Sequence, residues 1–177
     1  TYATATIATI STSFYPFDGN ISNLVIFSSA LSAPNIVTLY NNGSPETTPS
    51  FSPASWWKLD NTTTGIQDSI GSKNGTNNGA VKSNIAVSQV NGTSSGMTTA
   101  NLVNSDLERS IPYSSYSMYF DGINDFIDCG DALGNSLGAC SNASLSVWFK
   151  NVNNTDEQGI IAIDKSYYAQ GNFTLWK

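Results

Sequence analysis

The chain contains no histidine, which excludes a His-ligated metal site or an imidazole general base within it. Charge of either sign is scarce, at 11% of residues against the roughly 25% of average globular proteins. One arginine and six lysines lie scattered along a chain of net charge −6, so no basic face can be assembled and phosphate-tracking nucleic-acid binding is excluded. The acidity itself is read as a solubility feature. No apolar run approaches 18 residues, so no membrane insertion is expected, and no signal peptide is present. The start at Thr1 and the end at Trp176-Lys177, inside a strand-like run, read as cuts within a longer polypeptide. Cysteine is limited to Cys129 and Cys140. A disulfide between them would close a loop of about ten residues and restrict the unfolded chain by about 2–3 kcal/mol. Two unoxidised small hydrophobes fit the sequence equally well.

What is abundant is Ser, Thr, Asn and Gly around a 40% hydrophobic, 11% aromatic complement, enough for a core. Residues 1–13 (TYATATIATISTS) alternate small and β-branched residues and predict an exposed or edge strand. Strands are also predicted over Ile21–Phe27, over 115–120, where Tyr116, Met118 and Phe120 alternate with Ser115, Ser117 and Tyr119 before a turn at Asp121-Gly122, and from Asp125. Ser144–Phe149 follows a Gly- and Asn-rich loop and places Leu145, Val147 and Phe149 on one face. Ile160–Ile163 and Asn172–Trp176 predict a hairpin. One short helix is predicted over Ser32–Tyr40, capped by Ser32, with Ile36, Leu39 and Tyr40 on one face. Residues 44–54 hold three of the six prolines and read as a linker.

Four segments together resemble laminin-G-like domains of the concanavalin A-like lectin/glucanase type. They are YFDGINDFIDCG with SLSVWFK, the block FDGNISNLVIFSSALSAPNIVTLYNNG, the Trp56-Trp57-Lys58-Leu59-Asp60 opening, and Asp68-Ser69-Ile70-Gly71-Ser72-Lys73-Asn74-Gly75-Thr76. Ser22-Asn23 stands where the family carries an acidic pair, and Asn35 where it carries the capping-box Glu, which removes one reciprocal cap bond. The resemblance implies an all-β fold, an antiparallel two-sheet jelly-roll sandwich with one short helix. It also implies an order: 1–43 as the end of one repeat, 44–54 as the linker, 55–177 as the beginning of the next. A compact permuted sandwich whose two parts complete each other is the alternative.

Glucanases of this type carry E-x-D-x-x-E on one strand face, because glycoside hydrolysis needs two carboxylates at fixed separation. Glu46, Glu108 and Glu157 have no such partners, so no enzyme is expected. Asp121, Asn124, Asp125, Asp128 and Asp131 crowd one stretch; they read either as Asx-turn residues or as oxygen ligands for Ca²⁺, the one cofactor the sequence admits. Pentraxin relatives place an Asp-Asn ligand pair before the last strand, where this chain has Gly171-Asn172. The four tryptophans lie on strand-like runs and read mostly as core; Tyr167 and Tyr168, in a hairpin loop, are the candidates for ligand contact. Eight Asn-x-Ser/Thr triplets occur, where this composition gives roughly five by chance. The expected function is a non-catalytic adhesion module at an extracellular or virion surface, the composition resembling bacteriophage surface proteins. Its partners would be glycans, surface proteins, or neighbouring copies and repeats. The rival expectation is a capsid-decoration, fibre or filament subunit joined by strand-edge pairing.

Overall fold

The structure, a computed structural model, describes residues 5–9, 15–40, 48–84, 116–138, 141–152, 157–163 and 173–176. Ten strands and two short helices run in the order β1 (Ala5–Ile7), β2 (Asp18–Phe27), α1 (Ala33–Tyr40), β3 (Ser55–Trp57), β4 (Thr76–Asn78), β5 (Val81–Asn84), β6 (Tyr116–Asp121), β7 (Phe126–Asp128), α2 (Gly130–Gly138), β8 (Ser144–Asn151), β9 (Gly159–Ile163) and β10 (Phe173–Trp176). They form two antiparallel sheets. The first has the order β10-β9-β1-β7-β4. The second is built around β2, which pairs with β8 along one side. Its other side is shared end to end by β6, opposite Asp18–Ile21, and β3, opposite Leu24–Ile26, with β5 outside β6. The sheets close on one core that includes Ile7, Ile127 and Ile161 from the first and Leu24, Trp57 and Phe120 from the second. Among the described residues, no helix is long and apolar enough to cross a membrane.

A bulge in β2 makes the shared edge possible. The register against β8 shifts between Ser22 and Val25, and Asn23 takes a left-handed conformation, φ 50°. Its N–H donates to the Lys58 carbonyl (2.9 Å), and its buried Oδ1 accepts the Trp56 indole N–H (2.6 Å). The two tryptophans of β3 part to opposite faces, as alternation demands. Trp57 joins the inter-sheet core, while Trp56 packs with Val25, Phe27 and Leu39 on the outer face.

Two expectations are corrected here. The first strand is neither exposed nor at an edge: β1 lies between β9 and β7 with Ala5 and Ile7 fully buried. Its small side chains let the centre of the sheet pack closely, and the Thr6 hydroxyl donates to the Thr9 carbonyl (2.9 Å). There are two short helices and not one. The Gly-rich stretch predicted as a loop forms α2 because Asp128 Oδ1 caps it, accepting from Gly130 N (2.8 Å), and because Leu133 is drawn into the core. β1 lies in the first sheet and β2 in the second, each beside strands from beyond residue 54.

Candidate functional site

The outer face of the second sheet carries a groove between α1 and β8. Ser32 starts the helix: its carbonyl accepts Ile36 N (3.0 Å), and its Oγ lies 3.4 Å from Asn35 N. The helix contains no charged residue. It buries Leu39 against Val25, Phe27 and Trp56, yet Ile36 and Tyr40 remain 55% and 59% exposed. The predicted face is therefore only partly covered. The cause lies in β8, where Ser144 and Ser146 stand opposite Phe27 and Val25 on the side that α1 covers. Their small side chains leave space that a larger residue would fill.

That space is a groove of about 630 Å³, lined by Leu31, Ile36 and Leu39 on one wall and Ser144, Ser146 and Trp148 on the other. Among the described residues no charged side chain lines it. Tyr40 and Trp148 stack across its end, ring centroids 6.0 Å apart and planes 10° from parallel. The Leu31 N–H donates to Ser144 Oγ (2.9 Å) and ties the helix lead-in to β8. On the inner face of β8, Leu145 and Val147 are only partly buried against the core. Phe149 is likewise half-exposed and meets Phe17 edge-on at 6.1 Å. Among the described residues no strand pairs with the outer edge of β8.

The predicted acidic stretch forms the turn from β6 to β7 and the start of α2. Asp121 Oδ1 accepts from Ile123 N (2.8 Å) and Asn124 N (3.3 Å), and Asp125 Oδ2 accepts from Asp121 N (3.1 Å). Asp128 caps α2, and Asp131 lies in that helix's first turn. These are Asx-turn and capping geometries, with Asn124 exposed at the tip. Among the described residues no group of three or more His, Cys, Asp or Glu is arranged to hold a metal. Asp18 stands directly across the sheet from Asp121. Burial, then the charges of Asp18, Asp121 and Asp125, raise the Tyr119 hydroxyl pKa above its ordinary value.

Asp125 is buried, and that burial pushes its carboxyl pKa above 3.8; the Asp121 N–H pulls it down and the Asp121 charge adds to the rise. The folded state therefore holds this proton more tightly than the unfolded chain. Stability from this group grows as pH falls through the raised value towards 3.8, and it is absent at neutral pH. Asp125→Asn keeps an acceptor for Asp121 N and removes the buried charge. It is expected to stabilise the protein by about 0.5–1 kcal/mol at pH 7 and to remove that stretch of pH dependence. Urea unfolding of both proteins at neutral and mildly acidic pH checks this; equal stabilities across the range would refute it.

Cys129 is a buried free thiol whose pKa is raised by burial and then by the Asp128 and Asp68 charges. Cys140, its expected partner, lies outside the described residues, as do Tyr167 and Tyr168. Trp56 and Trp57 are core residues as read from the sequence, whereas Trp148 is only half-buried. The signal that marks Trp148 is its period-2 alignment with Ser144 and Ser146, which puts an aromatic ring and two small hydroxyl residues on one face. No protein-family model matches the chain, no curated protein matches it, and no solved structure matches it.

Proposed function

We propose that the chain is a non-catalytic binding module of laminin-G-like jelly-roll type, part of a larger virion or extracellular surface protein. Its ligand is a neutral glycan held in the groove between α1 and β8. The observation that carries this reading is the stack of exposed Tyr40 on half-buried Trp148, at the end of a groove with no charged side chain among its described lining residues. A sugar presents an apolar C–H face and a rim of hydroxyls. Aromatic planes take the first, and the Ser144 and Ser146 hydroxyls are placed for the second. A net charge of −6 on the chain disfavours anionic ligands. Among the described residues no carboxylate lines the groove, so these residues supply no acid and base for glycoside hydrolysis.

Titration with a panel of neutral oligosaccharides tests this. Trp148→Ala should weaken binding of a positive ligand at least tenfold, about 1.4 kcal/mol, while Tyr40→Phe, which keeps the stack, should bind nearly as the parent does. Affinity indifferent to Trp148→Ala would sink the assignment of the groove.

The second reading is an assembly subunit joined through strand edges. The edge of β8 that no described strand pairs, and the partly buried Leu145 and Val147, favour it, since a long apolar edge strand is a template for further pairing. Solution mass without sugar separates the two: a lectin is a monomer there, an edge-paired subunit an oligomer.

A further inference from the structure

Every strand that pairs with β1 or β2 lies after residue 54. β1 is held by Ile127–Asp128 on one side and Ile161–Ile163 on the other. β2 is held by β8 on one side and by β6 and β3 on the other. Among the described residues β1 does not pair with β2. Residues 5–9 and 15–40 therefore form an insert into both sheets, contributing Ile7, Phe17, Ile21, Leu24 and Ile26 to the one core. Without that insert Trp57, Phe120, Ile127 and Ile161 would lose much of their packing, and the remainder would need another complement.

The chain re-enters the fold at Ala54, whose N–H donates to the Ile26 carbonyl (2.8 Å). Just before this point Phe51 and Ser52 are both left-handed, φ 68° and 52°, between Pro49 and Pro53. Two consecutive non-glycine residues in that conformation are strained. A strained hinge attached to a segment that makes all its strand pairings elsewhere is the arrangement from which copies exchange segments at low cost.

We propose that residues 5–40 are exchangeable between copies of this chain, so that the partner it fits is a second copy of itself. The donated segment would take the seat between β9 and β7 and beside β8, β6 and β3 of the recipient. Every pairing is kept on exchange, and only the hinge changes. A tethered segment faces its own seat at an effective concentration on the order of millimolar, so isolated chains stay closed and crowded ones exchange. Because each copy donates one segment and accepts one, exchange closes as a dimer or propagates as a chain. The groove is then built from two copies, with Tyr40 of one stacked on Trp148 of the other. This inference rests on the strand pairings and stands whether or not the groove binds glycans.

Val25 and Ser146 face each other between β2 and β8, which gives the test. Full-length chains carrying Val25→Cys are co-refolded with chains carrying Ser146→Cys, each with residues 42–46 deleted to shorten the hinge, then oxidised. A covalent dimer containing one chain of each kind is expected, at least tenfold above the level from either variant mixed with a chain lacking the new cysteine. Ser52→Gly, which relieves hinge strain, should lower the yield when added to undeleted chains. Monomers throughout, or dimers without the Val25–Ser146 crosslink, overturn the proposal. Should the deleted chains fail to fold, undeleted chains co-refolded at about millimolar concentration must yield the crosslinked dimer. Its absence there overturns the proposal equally.

Discussion

Asp68→Ala is expected to destabilise the fold by about 3–5 kcal/mol at pH 7. The carboxylate is 6% exposed and serves as the acceptor for a whole loop. Oδ1 accepts the backbone N–H groups of Trp56 (3.0 Å), Gly71 (3.0 Å) and Ile70 (3.2 Å), and Oδ2 accepts that of Lys73 (3.3 Å). Truncation strips the buried Trp56 N–H of its acceptor and leaves the N–H groups of Ile70, Gly71 and Lys73, which lie nearer the surface, to water. It also loosens β3, because Asp68 bridges Trp57 and the Ser69 N–H donates to the Trp56 carbonyl (2.8 Å). Asp68→Asn keeps one acceptor oxygen and places an amide against Lys73 N; a loss of about 1–2 kcal/mol is expected.

The pH dependence has a definite sign. Burial raises the Asp68 pKa, but the N–H donors from Gly71, Trp56, Ile70 and Lys73 outweigh it and leave the folded value below 3.8. A depressed folded pKa contributes stability that is fully present above 3.8 and is lost as pH falls through the folded value. The gap between parent and Asp68→Ala should thus be constant from neutral pH down to about 4 and narrow below that. Denaturant unfolding at pH 7 and pH 3 measures both points. A loss under 1 kcal/mol, or a gap that does not narrow in acid, would refute the role given to the carboxylate.

This loop shows which parts of a sequence speak plainly. The run Asp68 to Thr76 stands out as a pattern before its purpose is visible. The structure supplies the purpose: Asp68 gathers the N–H groups, Asn74 Oδ1 accepts Asp68 N (3.1 Å), and Gly71 leaves room beside Asp68 Oδ2. None of these is a ligand group. Strands β6 and β8 are legible because one face of each packs on the inter-sheet core and writes itself into the period-2 pattern; β2, buried on both faces over Ile21–Phe27, is legible from its apolar run with Leu24 and Ile26 on one side. β1 was misplaced because its signal was side-chain size. Small residues suit a thin edge, but they equally suit a crowded centre, and only the neighbours β9 and β7 decide between the two. α2 escapes a reading of the sequence because three glycines in its nine residues argue against a helix, while the burial of Leu133 that sustains it is a tertiary effect. The groove was hidden for a similar reason. Tyr40 falls on the predicted apolar face of α1, and it stays exposed only because the residues across from that face are serines some hundred positions later in the chain.

Gly19→Ala is the second substitution with a large expected effect, and it acts on the strand pair that carries the groove. Gly19 is buried in β2 opposite Phe120 on one side and Asn151 on the other. Its φ of 148° is a value that residues with a side chain rarely adopt. A Cβ there would run into the Lys150 carbonyl oxygen and approach the Asn151 Cα to 3.0 Å. Both obstacles are backbone, so no rotamer change relieves them; β8 must move away from β2 at the end where Phe149 and Trp148 sit. Strain in φ and the forced separation together are expected to cost about 3–5 kcal/mol. Gly130→Ala isolates the first part, since Gly130 also has positive φ (64°) but a Cβ there meets nothing within 4 Å. It should cost about 1 kcal/mol. Thermal and denaturant unfolding of the two variants side by side gives the comparison. Equal losses would mean that conformation alone governs both sites, and that the contact with Lys150 does not hold β8 in register.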